Sequence, residues 1–244
     1  MQKNLQGSNP ADQFRFITAI CCILLLFDSI PVALFSQKKN DQQQSEKGLP
    51  FITNYSPKTY NALPQTWSVQ EDEQGIKYFG IQNYLLEYDG VSWRKVIIAG
   101  NARLPVVRTM TKSKEGVIYY GAYGDLGYIY KDSLGQTKTK SLLEFIPAPY
   151  RNFLDVWSTH VTEKGIYFQS HEYIFRLSEK TSSNNERTVK VWKPRTNFMY
   201  TFYLDGTYYV HQQGLGLFKM IDDSLLLIPG SEFLGKERVQ VMLP

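Results

Sequence analysis

After about residue 36 the chain alternates short apolar or aromatic stretches with polar turns, and long helical patterns are missing. The stretch GIKYFGIQNYLLEYDGVSW, residues 75–93, shows the pattern. It reads as two short strands around a polar turn, followed by a third strand after Asp89-Gly90. An Asp-Gly pair accepts the positive φ angles found at the tip of a tight hairpin. The pattern therefore predicts strands joined in sequence by hairpins.

The same pattern occurs four times along the chain. Each copy has an apolar or aromatic strand, a polar turn that ends in glycine, and further strands separated by polar turns. The turn glycines are Gly75, Gly116, Gly165 and Gly206, which lie 41, 49 and 41 residues apart. Periods of about 40–50 residues with several strands per unit are typical of propeller blades. In the first unit we place strands at residues 67–72, 76–80, 84–88 and 93–98.

These repeats predict an all-β fold, a β-propeller of four-stranded antiparallel blades. A single blade cannot bury both of its faces, so blades are stacked around an axis. The blade region is assigned to residues 49–244, with units near 67–98, 108–146, 157–192 and 198–229. We expect about four blades and an incomplete ring, because residues 238–244 look like the start of a further inner strand. The alternative is a four-bladed ring closed by the segment LPFITNYSPKTY after Gly48.

The N-terminal residues have a different character and predict a targeting segment. The uninterrupted apolar run 19–27 is broken by Asp28 and Pro31. This run is shorter than the ~20 apolar residues that a membrane-spanning helix needs. A cleaved signal peptide at 1–36 is favoured, ahead of an uncleaved signal anchor and of a buried core helix. Residues 37–48 are polar and predict a flexible linker. The blades are thus expected outside the cytoplasm.

Composition and charge narrow the possible functions. Aromatic residues make up 14% of the chain, with 17 tyrosines, which favours β structure. The formal net charge of +4 is too small to indicate nucleic-acid binding. The only cysteines, Cys21 and Cys22, lie in the N-terminal run, so the blades have neither disulfides nor a cysteine-ligated metal.

The first unit, WSVQEDEQGIKYFGIQNYLLEYDGVSWRKV, resembles the two-component regulator propeller repeat. That repeat has an aromatic strand, an ED pair, a polar residue, glycine, an aromatic strand ending in glycine, and then GL and YDG. The upstream segment GLPFITNYSPKTYNALPQTW is similar to the start of periplasmic sensor propellers in Bacteroidetes-type regulators. The likeness covers residues 48–244 and is weaker after the first unit. The second unit lacks the ED pair, and the third has SHEY in place of a glycine-containing turn.

The resemblance implies a ligand-sensing ectodomain of a hybrid histidine kinase or helix-turn-helix regulator. In such proteins an immunoglobulin-like domain, a transmembrane helix and a cytoplasmic output domain follow the propeller. No output motif can be recognised in this chain, so a kinase would have to lie downstream in a longer parent protein. A homodimer is expected from the resemblance alone.

The turns between the second and third strands of each blade predict a ligand site. In a propeller these turns open on one face near the axis, and here they carry amides, imidazoles, tyrosines and carboxylates, which is the mixture that binds sugars. Turn chemistry alone also explains several of these residues. The predicted ligand-binding residues are Gln82, Asn83, Tyr84, Arg108, Tyr123, Asp125, His171, Glu172, His211 and Gln212.

The first strands of the four units begin at Trp67, Arg108, Trp157 and Phe198. The aromatic residues either form a ring of stacking groups at the channel entrance or fill the core between blades, and packing is favoured. Arg108 is the exception, because a buried arginine without a partner is costly. It either binds a carboxylate or sulfate or pairs with a nearby acid.

The sequence shows no nucleophile motif, phosphate loop or cofactor fingerprint, so no catalytic residue, metal or cofactor is assigned. The favoured function is a non-enzymatic sensor that binds a small molecule or oligosaccharide. Its membrane attachment would be an N-terminal anchor or a downstream helix. One alternative is a secreted carbohydrate-active enzyme that uses Asp125 or Glu172, and another is a protein-interaction scaffold. The fold alone does not decide among these functions.

Overall fold

The structure, a computed structural model, describes residues 52–100, 105–178 and 187–244. The predicted signal segment 1–36, the linker 37–48 and both cysteines lie outside the described residues. Within the three described ranges, no helix has the length and apolar character needed to cross a membrane.

The described residues of the unit 54–244 form four sheets of four antiparallel strands, each with its strands in chain order. The predicted all-β fold of four-stranded blades is therefore confirmed. The blades comprise β1 Ser68–Glu71, β2 Lys77–Gly80, β3 Tyr84–Tyr88 and β4 Trp93–Ile97; β5 Val107–Lys112, β6 Ile118–Ala122, β7 Asp125–Lys131 and β8 Thr137–Ser141; β9 Ser158–Thr162, β10 Gly165–Gln169, β11 Ile174–Leu177 and β12 Val189–Trp192; and β13 Phe198–Leu204, β14 Thr207–Gln212, β15 Gly216–Ile221 and β16 Ser224–Leu227.

Helical structure in the described ranges is short. One α-helical turn, α1, spans Pro57–Tyr60, and 3₁₀ turns span Leu143–Phe145, Ala148–Tyr150 and Glu232–Lys236. The structure assigns no strand to residues 238–244, where the sequence suggested a further inner strand. A strand requires a hydrogen-bonded partner, and no described strand pairs with this segment. The further blade stays a prediction.

The first blade matches the predicted strands closely, since only their ends differ by one residue. Strand β1 begins at Ser68, but the Trp67 amide already donates to the Gly80 carbonyl at 2.8 Å. The turn after β3 is held by Asp89, whose Oδ1 accepts the amides of Val91 and Ser92 at 2.9 and 2.7 Å. Gly90 supplies the positive φ of 94°. The Asp-Gly pair thus shapes the hairpin as its sequence indicated.

The core consists of layers between successive blades. Strands β6 and β10 are buried along their whole length, because each is central in a blade that is covered on both faces. Tyr78 and Tyr120 lie in the layer between the first two blades, and Phe168 lies in the next layer. Tyr208 belongs to the third layer. Outer strands such as β8, with the sequence TKTKS, keep a largely polar edge.

Equivalent backbone hydrogen bonds connect each blade to the next. The amides of Val107, Val156 and Phe198 donate to carbonyls in the preceding blade, those of Ile81, Ala122 and His171, at 3.1, 3.3 and 3.0 Å. Each bond joins the turn between the second and third strands to the start of the next inner strand. These two kinds of segment therefore open on the same face. The four sheets do not close into a ring.

Candidate functional site

The residues around Arg108 form a polar and aromatic cluster on this face. Arg108 is the second residue of β5, and its guanidinium carbon lies 3.9 Å from the ring centroid of Trp67 and 4.8 Å from that of Trp157. Its Nε donates to Asp155 Oδ1 at 2.7 Å. The two tryptophan rings meet edge to face at 6.1 Å. Arg108 is thus held by two aromatic rings and one carboxylate.

The backbone fixes the positions of these partners. Trp67 directly precedes β1 and Trp157 directly precedes β9, and the Trp157 amide donates to Gln169 of the adjacent strand at 2.7 Å. Asp155 lies on the segment that leads into β9 and forms an isolated β-bridge with Tyr123. Three blades therefore contribute to one cluster. The buried indole Nε1 of Trp157 has no hydrogen-bond partner in the part of the chain that the structure describes.

The four residues that begin the first strands, for which packing was favoured over a ring of stacking groups, take different positions in the structure. Trp67, Arg108 and Trp157 come together, whereas Phe198 is fully buried between blades. Tyr200 takes the fourth position, 6.4 Å from Trp157 between ring centroids. The register of β13 shifts between Phe198 and Thr201, so Tyr200 lies in an irregular part of the strand. An irregularity in strand pairing leaves no signal in the hydrophobic pattern, so Tyr200 could not be chosen from the sequence.

The predicted residues of the first blade lie along its turn. Gln82 forms a β-bridge with Val106, and the Asn83 amide donates to Pro105 at 2.6 Å. Asn83 has a φ of 75°, and its buried Oδ1 has no partner among the described residues. Tyr84 starts β3, and its ring faces the Lys95 ammonium at 5.1 Å. Gln82 and Asn83 therefore line the face through a turn that is fixed by backbone bonds.

The second blade divides its two predicted residues between surface and interior. Tyr123 is 41% exposed, whereas Asp125 is fully buried. Asp125 accepts hydrogen bonds from the Tyr120 hydroxyl at 2.9 Å and from the Ser141 hydroxyl at 2.5 Å. Burial raises the pKa of the Asp125 carboxyl above its ordinary value. The structure thus places Asp125 between strands, away from the face on which a ligand was predicted.

The third blade places both predicted residues beside the Arg108 cluster. The His171 ring lies 5.7 Å from that of Trp157, and its Nδ1 donates to the Phe198 carbonyl at 2.6 Å. Glu172 Oε2 accepts the Leu154 amide at 3.5 Å, next to Asp155 in the chain. Both side chains are half-buried. Glu172 therefore adds a second carboxylate to this side of the cluster.

The fourth blade buries both of its predicted residues. His211 is fully buried, and its Nε2 donates to the Leu234 carbonyl at 2.8 Å. Gln212 is 3% exposed, and its Oε1 accepts the Arg195 amide at 3.0 Å. These side chains hold the turn against neighbouring backbone. Their positions in a turn indicated the face on which the turn opens but could not show which way the side chains point.

The structure thus brings Arg108 together with both tryptophans, places His171 and Glu172 beside Trp157 and Asp155, and pairs the Tyr123 backbone with Asp155. Asp155 was missed by the sequence analysis, and its only signal was that Arg108 would need an acidic partner. Within the described ranges, no group of three or more histidine, cysteine, aspartate or glutamate side chains is arranged to hold a metal ion. What the cluster offers is guanidinium donors, carboxylate acceptors and aromatic faces.

No family model matches the chain, and no curated protein matches its sequence. Solved structures similar to it include virginiamycin B lyase from Staphylococcus aureus, with 12% identity and a TM-score of 0.48. They also include the extracellular domains of proteins described as hybrid two component system BT3049 and one component system BT4673 from B. thetaiotaomicron. The identities are 15% and 8%, and the TM-scores 0.37 and 0.29.

These alignments cover 68%, 72% and 71% of this chain, respectively. The chain spans 57% of the length of the lyase and 29% and 36% of the two extracellular domains. With identities this low and TM-scores below 0.5, the likenesses carry no conclusion about activity or ligand.

Proposed function

We propose that this chain is part of an extracytoplasmic sensor propeller that binds a glycan or another small polar molecule for a transmembrane signalling protein. The observation that carries this proposal is the Arg108 cluster, which joins donors, acceptors and aromatic rings from three blades. The resemblance of the repeats to the two-component regulator propeller supports the signalling role.

A binding role fits the cluster better than catalysis. Glycoside cleavage by two carboxyl groups requires both of them to flank one bond, about 5–9.5 Å apart. Asp125 is buried and bonded to Tyr120 and Ser141, so it does not face such a bond. Asp155 is engaged by Arg108. These contacts favour a site that recognises hydroxyls over one that transfers protons.

The location and the output belong to the same proposal. The apolar N-terminal run supports export, and the resemblance supports a periplasmic or extracellular position with the output domain elsewhere in a longer protein. A conformational change caused by ligand binding would be transmitted through the blades, and the signalling form would be a dimer. Enzymatic output would then reside outside the blades.

Binding can be tested by thermal unfolding of the 244-residue chain with maltotetraose, cellotetraose, mannotetraose and galactotetraose. A ligand that binds only the native state raises the unfolding midpoint by mass action. We expect at least one oligosaccharide to raise the midpoint without being hydrolysed. Tyr123→Ala should weaken binding of that oligosaccharide about fivefold. This factor corresponds to the loss of about 1 kcal/mol, which is typical of an aromatic contact.

Tyr130→Ala is the matched control, because Tyr130 lies in the same blade and is 42% exposed, close to the 41% of Tyr123. Tyr130 lies at the other end of β7, near the turn that leads to β8. Isothermal titration of both variants decides the result. An unchanged midpoint with every sugar, or an equal loss in both variants, would contradict binding at this face.

A further inference from the structure

The fixed geometry of Arg108 leaves part of its guanidinium free. The two Nη groups have no hydrogen-bond partner among the described residues, and neither does Asp155 Oδ2. None of these atoms is among the buried polar atoms without partners, so they reach solvent. The side chains are 16% and 17% exposed. The cluster therefore presents N–H donors beside a carboxylate acceptor.

A hydroxyl group is the natural complement of this arrangement. It donates one hydrogen bond and accepts others, so a single hydroxyl can accept from Arg108 and donate to Asp155. Neighbouring hydroxyls on a sugar ring repeat this pattern. Trp67 is 39% exposed and Tyr123 is 41% exposed, and both offer apolar surface for the C–H groups of the ring.

The local charge disfavours an anion. Arg108 and Asp155 neutralise each other, and Glu172 adds a negative charge beside Asp155. In the three described ranges, no second lysine or arginine forms an ion pair with Asp155 or Glu172. A ligand carboxylate would lose its hydration, compete with Asp155 for Arg108 and approach both carboxylates. Among the described residues, no further ion pair supplies the positive charge that would offset these costs.

We infer that the Arg108–Asp155 pair makes the site selective for neutral, hydroxyl-rich sugars over uronic acids and sulfated sugars. This inference rests on the proposed function, since it specifies the ligand class of the same site. It also assigns different roles to the two partners. Arg108 contacts the ligand directly, and Asp155 both contacts it and cancels the charge that would attract anions.

The test compares each neutral tetrasaccharide of the panel with its uronate form, made by selective oxidation of the primary hydroxyl groups. Affinities of the 244-residue chain are measured by isothermal titration. We expect the uronate to bind at least about tenfold more weakly than its neutral parent. Asp155→Asn keeps an acceptor for Arg108 but removes the negative charge. It should therefore reduce or reverse the difference in affinity between the neutral sugar and its uronate.

Asp132→Asn is the charge-matched control, because Asp132 lies in the turn between β7 and β8 and pairs with Lys138. It should leave the ratio of the two affinities unchanged. Arg108→Lys keeps the positive charge but loses the planar guanidinium, so it should weaken binding of the neutral sugar. This second variant keeps the inference testable if Asp155→Asn does not fold. Melting temperatures identify any variant that fails to fold.

The outcomes separate the two proposals. Equal or tighter binding of a uronate by the wild-type chain would overturn the selectivity and leave the sensor role standing. An unchanged affinity ratio in a folded Asp155→Asn variant would overturn the role of Asp155. Binding of no sugar, neutral or oxidised, would overturn the proposed function and the selectivity with it.

Discussion

At the scale of single residues, Asp223 shows how one side chain joins two blades. It lies in the turn between β15 and β16 with a φ of 64°, and it pairs with Arg176 and, at 2.8 Å, with Lys190. Its backbone carbonyl accepts the Trp192 indole N–H at 2.8 Å. The hydrogen bonds from Arg176 and Lys190 lower the pKa of Asp223 to about 2.

Asp223→Asn should make the protein less stable at neutral pH and change its response to acid. The pKa of Asp223 is lower in the folded state than the unfolded value of about 3.9. Its contribution is therefore complete above about pH 4 and is lost as pH falls toward about 2. We expect the variant to lose about 1–2 kcal/mol at pH 7.

Urea unfolding across this pH range measures the effect. The difference between wild type and Asp223→Asn should shrink as the carboxyl of the wild type becomes protonated. Asp132→Asn, which changes the same charge in a turn within one blade, should show a smaller difference at pH 7. A constant gap between wild type and Asp223→Asn from pH 7 to about pH 2 would contradict the ion pair.

At the scale of the blade, one strand position controls how closely the next blade approaches. It is occupied by Gly80 in β2, Gly121 in β6 and Gln169 in β10. A Cβ on Gly121 would overlap Val156 Cγ1, so only glycine fits there. Gln169 instead donates from its amide to the Phe198 carbonyl at 3.4 Å. At this position the third blade thus contacts the fourth through a buried side-chain hydrogen bond and not through the close backbone approach that glycine allows.

Gly121→Ala should destabilise the protein by about 3 kcal/mol, because the added methyl group overpacks the layer between the second and third blades. Gly75→Ala is a useful comparison, since a Cβ there meets nothing within 4 Å and only the φ of 80° is strained. That strain costs about 1 kcal/mol. Chemical denaturation that finds the two variants equally stable would rule out the close approach at Gly121.

The repeats were predictable from sequence because strand alternation and turn glycines are local signals. Gly80 and Gly121 could be recognised in the sequence because each ends a stretch rich in aromatic residues. The burial of Asp125 was not, because it depends on Tyr120 and on Ser141 in another strand. Arg108 was found because a cation among aromatic residues needs a partner, but the identity of that partner depends on a different blade.

At the scale of the whole unit 54–244, the two terminal blades expose apolar residues. In the first blade Val69 is 52% exposed and Ile97 is 75% exposed. In the fourth blade Ile221 is 41% exposed and Leu226 is 47% exposed. Exposed apolar side chains can form association sites or promote aggregation when they cluster. The terminal blades therefore present exposed apolar side chains that another protein surface could cover.

We expect the 244-residue chain to self-associate as its concentration rises, and the combination of Ile97→Lys with Leu226→Lys to reduce this. Each lysine places a charge on the exposed face of a terminal blade. Leu134→Lys is the control, since Leu134 is 79% exposed in the turn between β7 and β8. Sedimentation velocity that shows one monomeric species at all concentrations, or an equal effect of the control, would contradict the prediction.

The position of Arg108 between two tryptophans has a consequence for local opening. Its side chain contacts groups from the first and third blades while its backbone belongs to the second. None of these inner strands can move away without breaking contacts that the others share. Their amide protons are therefore expected to exchange with solvent in one cooperative step, as those of a single foldon do. A sugar held by Arg108 would slow that exchange in all three inner strands at once.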